Sequence, residues 1–191
     1  QLVGSFGRLR GDPSRRHVQG IRSRRRCTGE SGVTVQFKVG VPESDTPPQV
    51  LGTIHYVLAS LGMQLGDRYD SQLRNEIGPQ WLRDLGKARK KFYTLHDPHF
   101  VLSEPLKFPD SPVRSCLPSG GAFYNLLEDT LRVRNAWSHF EIPDLSLDAL
   151  KPSVETIRAF AHEVSLPVAA LCSTVTKRIN AIANGQYHPE T

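Results

Sequence analysis

The sequence predicts an all-α protein, an up-and-down bundle of four to five helices. Three observations predict it. Apolar residues recur every three or four positions over long stretches, strand-like alternation is confined to Val33–Val39, and the strongest turn signals fall between the periodic stretches.

Residues 1–48 form a basic segment. Eight arginines in residues 1–26 face one acid, Asp12, giving +7, so the rest of the chain carries −2 of the net +5. Residues 1–32 are rich in Arg, Gly and Ser without apolar periodicity, which reads as disorder: a solvated tail, or an arm that releases counterions from nucleic-acid phosphates. The run Val33–Val39 has the alternation of a short strand, and Pro42, Pro47 and Pro48 close the segment. The chain begins with Gln rather than Met, as a protein whose upstream portion is missing would.

A helical domain is expected over residues 49–184, with a tail over 185–191. Its first helix runs from about Pro48 to Asn75, where Val50, Ile54, Val57 or Leu58, Leu61, Leu65, Tyr69 and Leu73 make one continuous stripe. Gly62 and Gly66 interrupt it, each costing up to about 1 kcal/mol relative to Ala, and mark where another helix comes close. Gly78-Pro79 breaks the chain, and Trp81, Leu82 and Leu85 begin a short helix ending near Phe92. From Leu95 to Gly121 five prolines (Pro98, Pro105, Pro109, Pro112, Pro118) predict irregular structure, pinned to the core by Phe100, Val101, Leu102, Leu106 and Phe108. His96-Asp97-Pro98-His99 has metal-ligand residue types, but on a proline-rich loop it reads as surface, and no metal or other cofactor is expected.

Ser119 is the expected cap of the next helix, whose positions Phe123, Leu126, Leu127, Leu131 and Trp137 lead to Arg132-Val133-Arg134-Asn135-Ala136-Trp137-Ser138-His139. Glu128 and Arg132, four apart, can pair there. Beyond the Pro143 break, Ser146 and Ser153 are candidate caps. A 3-or-4 spacing from Val154 to Ile182 passes through Pro167, predicting one long helix kinked near Glu163, with Asn184-Gly185 as its stop.

Arg, Asn and His within six positions are costly in a core, because each polar group must find a partner when buried. Asn135 and His139 share one helix face, and Arg134 and Ser138 the adjacent one. Arg134 and His139 diverge by roughly 140° on a straight helix, so they converge only if the helix ends near His139 or a second chain brings its own pair across a groove.

Arg134-Asn135-Ala136-Trp137-Ser138-His139 resembles the R-N-x-x-x-H signature of HEPN domains, small helical domains many of which are metal-independent endoribonucleases. It is most similar to the subgroup that ends transcription-surveillance endonucleases and recurs in bacterial proteins. The resemblance covers about residues 49 to 175, and only the motif in it is specific. It implies a homodimer in which Arg134, His139 and Asn135 from two chains form a catalytic site for RNA, with Ser138 and Arg132 as RNA contacts; Trp137 reads as core, or as an RNA contact whose indole stacks on a base beside that site. The alternative is a non-catalytic helical module that binds RNA or protein through the same groove. A third reading is a toxin of this family silenced by a regulatory partner protein; Glu141 stands where the tyrosine-modified members usually carry Tyr, a departure from that mode of control.

Other chemistries lack their residues. Gly120-Gly121 has no following Lys-Ser/Thr, so there is no phosphate-binding loop, and no nucleophile elbow is present. Cys27, Cys116 and Cys172 are scattered and odd in number, which indicates neither a disulfide framework nor a zinc site and favours a reducing, cytoplasmic setting. No apolar run approaches the roughly 20 residues that span a bilayer, so no membrane association is expected.

Overall fold

The computed structural model describes residues 41–42, 45–139, 141–142 and 144–186. The basic segment before residue 41, the Val33–Val39 run and residues 187–191 lie outside them. Among the described residues six helices are formed: α1 (Pro47–Ile77), α2 (Trp81–Arg89), α3 (Pro98–Lys107), α4 (Gly121–Ser138), α5 (Leu147–Glu163) and α6 (Val168–Ala183), with a 3-10 turn at Pro112–Cys116. The protein is all-α, and no strand occurs among the described residues.

The first helix, α1, organises the rest. Pro47 and Pro48 start it where missing N–H groups cost nothing, because the first amides of a helix have no intrahelical acceptor. Its 31 residues extend roughly 46 Å at 1.5 Å per residue. Val50, Ile54, Val57, Leu58, Leu61, Leu65, Tyr69 and Leu73 are all buried, and every later helix packs on α1. The glycines on this helix do not admit another helix, as expected from sequence, but the extended chain entering α3. A Cβ at Gly62 would lie 2.6 Å from the carbonyl oxygen of His96, and one at Gly66 would lie 2.6 Å from that of Leu95.

The proline-rich connection contains a regular ten-residue helix, α3, with Pro98 in its first turn and Pro105 in its interior. Pro98 opens it behind Asp97, whose Oδ1 accepts the His99 N–H at 2.9 Å. Pro105 cannot donate to the Val101 carbonyl four residues back, and the Tyr69 hydroxyl donates to that carbonyl instead at 2.9 Å. Phe100, Val101 and Leu102 are buried, so the connection is pinned to the core as predicted.

The predicted kinked terminal helix is two helices, α5 and α6, packed on each other. Ser165 turns left-handed (φ 54°), Leu166 N–H reaches back to Ala161 O at 2.8 Å, and Ser165 N–H reaches His162 O at 3.0 Å, closing α5 before Pro167. The apolar spacing carries across the break because each helix buries a stripe in the same core. Gln64 Oε1 on α1 accepts the Val168 N–H at 2.7 Å and so caps α6.

Caps differ in detail. Gly120 (φ 126°), not Ser119, precedes α4. Ser146 caps α5 as predicted, accepting from Ala149 N–H at 3.3 Å, while Ser153 lies inside that helix. No helix among the described residues is long and apolar enough to cross a membrane.

Candidate functional site at the end of α4

The last turns of α4 distribute the motif over three environments. Arg132 is exposed and bonded to Glu128 at 2.8 Å and Asp129 at 3.0 Å, so its charge is compensated by its own helix. Trp137 is 1% exposed and donates its indole N–H to Ser153 Oγ at 2.9 Å. Of its two sequence readings this is the core one, and a ring enclosed by core side chains offers no face to a ligand. Arg134, Asn135 and Ser138 turn the third way, toward the start of α3.

Arg134 keeps 21% of its side chain exposed. Its Nη1 donates to Asn135 Oδ1 at 3.1 Å, and its Nη2 stands 3.9 Å from Asp97 Oδ1, at the outer limit of an ion pair. With Ser138, it lines an open pocket of about 260 Å³ whose other walls are His55, Leu58, Ala59 and Pro98. His139 ends α4 as the spacing allowed: its backbone N–H bonds Asn135 O at 2.9 Å, and Glu141 N–H closes onto Ala136 O at 2.9 Å. The His139 side chain is exposed and does not line the Arg134 pocket.

The imidazole that faces Arg134 and Asn135 in the same chain is His99, in the first turn of α3. Burial pushes its pKa below the usual histidine range; Arg134 and Lys107 push the same way, against weaker pulls from Asp97 and Asn135. Its Nδ1 is buried without a hydrogen-bond partner. A neutral imidazole beside a guanidinium is a proton acceptor next to a fixed positive charge.

Sequence reasoning missed this residue. The run His96-Asp97-Pro98-His99 is divided by the fold: His96 Nε2 lies 2.9 Å from Asp67 Oδ1 on the surface, Asp97 caps α3, and His99 turns inward. No group of three His, Cys, Asp or Glu side chains among the described residues is arranged to hold a metal. The signal that would have found His99 is Asp97-Pro98 itself, an N-cap followed by proline at the first helical position. Cys116 and Cys172 are free and buried, their thiols pushed up by burial to about 11 and about 12, so neither is an activated nucleophile.

No protein-family model, curated protein or solved structure matches the chain.

Proposed function

We propose that the domain is a HEPN-like endoribonuclease that cleaves RNA by attack of the 2′-hydroxyl at a site shared by two chains. The observation that carries this reading is the state of Arg134: part-exposed at an open pocket and held by no short carboxylate contact among the described residues, on the helix that ends in an exposed His139. A core arginine would be enclosed and tightly paired instead.

The chemistry needs few groups. RNA supplies the nucleophile; an imidazole takes the 2′-proton as that oxygen bonds phosphorus. The bond to the 5′-oxygen breaks, and a second imidazole protonates the leaving oxygen. Arg134 neutralises charge developing on the phosphorane oxygens. Asn135 holds Arg134 through its side-chain carbonyl and the His139 backbone through its main-chain carbonyl. The products carry 2′,3′-cyclic phosphate and 5′-hydroxyl ends.

Incubation of the protein with total RNA, with and without EDTA, tests the reading. Cleavage should persist in EDTA and fall at least about 100-fold in His139→Ala, within the range for loss of a general acid–base group. His99→Asn distinguishes the two imidazoles: if it abolishes cleavage and His139→Ala does not, the site lies within one chain. If neither change alters cleavage, or no RNA is cut, the reading fails. The second reading, a binding module without chemistry, is favoured by the Arg134 pocket lacking His139; it predicts that Arg134→Ala weakens binding with no products from any protein.

A further inference from the structure

A second feature lies outside the α4 motif. The stretch Arg83–Tyr93 carries five cations against Asp84, a net +4 in eleven residues, so the remainder of residues 27–191 is at −6. Two of these cations are compensated: Lys87 bonds Asp84 at 3.0 Å, and Arg89 bonds Asp110 at 2.8 Å with its guanidinium over the Phe108 ring. Arg83, Lys90 and Lys91 make no ion pair among the described residues.

Among these cations stands Phe92, 96% exposed. An apolar ring fully in water gains nothing for folding, yet the turn that presents it is built. Lys90 is left-handed (φ 55°), which costs a non-glycine residue about 1–2 kcal/mol. Lys91 N–H closes onto Gly86 O at 2.9 Å, and a Cβ at Gly86 would lie 2.7 Å from Lys91 O. Phe92 and Tyr93 rim an open groove with Leu82, Gly86, Lys87, Lys90 and Lys91. Lys91, Phe92 and Tyr93 also line the adjoining cavity that reaches Asp97 and His99, the neighbours of Arg134.

We infer that this groove binds single-stranded nucleic acid, with a base stacked on Phe92 and phosphates on Arg83, Lys90 and Lys91. The ring lacks any polar atom and takes the face of any base, while the three cations follow a backbone. A duplex hides its base faces and cannot use the ring. The groove reads features common to RNA and DNA; that its natural strand is RNA, continuing toward Arg134, rests on the cleavage reading above.

The test is fluorescence anisotropy of the full chain with labelled dT12, which has no 2′-hydroxyl and cannot be cleaved by that route. Phe92→Ala should weaken binding about 5- to 150-fold, the equivalent of one base stack. Lys90→Ser with Lys91→Ser should lower the slope of log K against log salt by about 1.4, at roughly 0.7 per phosphate contact. Circular dichroism confirms that these surface variants fold. Unchanged dT12 affinity and salt slope in both variants overturns the inference, as does Phe92-dependent binding to vesicles containing phosphatidylserine without binding to dT12. Phe92-dependent binding by a protein that cuts no RNA supports the groove and removes the nuclease; cleavage with groove variants binding normally does the reverse.

Discussion

Replacing Tyr69 by phenylalanine removes one hydroxyl from a fully buried side chain. Burial holds the phenol protonated, so the wild-type hydroxyl is a constant donor to the Val101 carbonyl. Pro105 has no N–H to offer that carbonyl, so the substitution leaves a buried acceptor without a partner, a loss of about 1–3 kcal/mol. For a chain of this length that lowers Tm by about 2–12 °C. Pro105→Ala restores a backbone donor four residues after Val101, and in that background the same loss of hydroxyl should cost about 1 kcal/mol less. Urea denaturation of the four proteins, followed by circular dichroism at 222 nm, gives the coupling directly. Equal cost in both backgrounds would refute the claim that the tyrosine substitutes for the missing amide.

Three further outcomes are expected. Gly52→Ala, with nothing within 4 Å of the added carbon, should stabilise α1 by about 0.5–1 kcal/mol, whereas Gly62→Ala and Gly66→Ala should destabilise it by about 1–2 kcal/mol after the propensity gain, through collision with backbone oxygens; thermal melts of the three give the signs. Tryptophan emission should not change when an RNA strand is added, because Trp81 and Trp137 are both buried and bonded, to Asp70 and Ser153; quenching on titration would show that an indole meets the ligand. His99 has its folded-state pKa below the unfolded value of about 6.5, so the folded protein binds fewer protons and its stability falls as pH drops below about 6.5 toward the folded pKa, being fully present above 6.5. His99→Asn should flatten that part of the Tm profile between pH 7 and 5.

The parts of the fold that were legible in the sequence are those fixed by local periodicity. The α1 stripe from Val50 to Leu73 could be placed residue by residue, because one helix face meets one core. Helix α3 is hidden in the sequence because five prolines resemble breakers, whereas Pro98 occupies a first-turn position and the amide that Pro105 lacks is replaced from α1 by the Tyr69 hydroxyl, 32 residues from Val101 in sequence. The break between α5 and α6 was hidden for the opposite reason: two helices with stripes in phase mimic one. At the site, helical spacing pairs Arg134 with Ser138, and both line one pocket; the same spacing pairs Asn135 with His139, whereas the Asn135 side chain turns to Arg134. His99 is not legible in that spacing, since its approach to Arg134 depends on Gly62 and Gly66 admitting the chain that enters α3. The burial of Trp137 is legible from its place in the apolar series of α4, but its indole partner Ser153 is not, because that residue lies on another helix.

Because all later helices rest on α1, the order of synthesis matters. This helix leaves the ribosome with seven turns of apolar side uncovered, and its last covering element ends at Ala183, about 106 residues after Ile77. At roughly 5–20 residues per second, the nascent chain carries that sticky rod for about 5–20 s. Thr53, Ser60, Gly62 and Gly66 break the otherwise apolar buried face of that rod, and they are the places where non-native association along it finds least to hold.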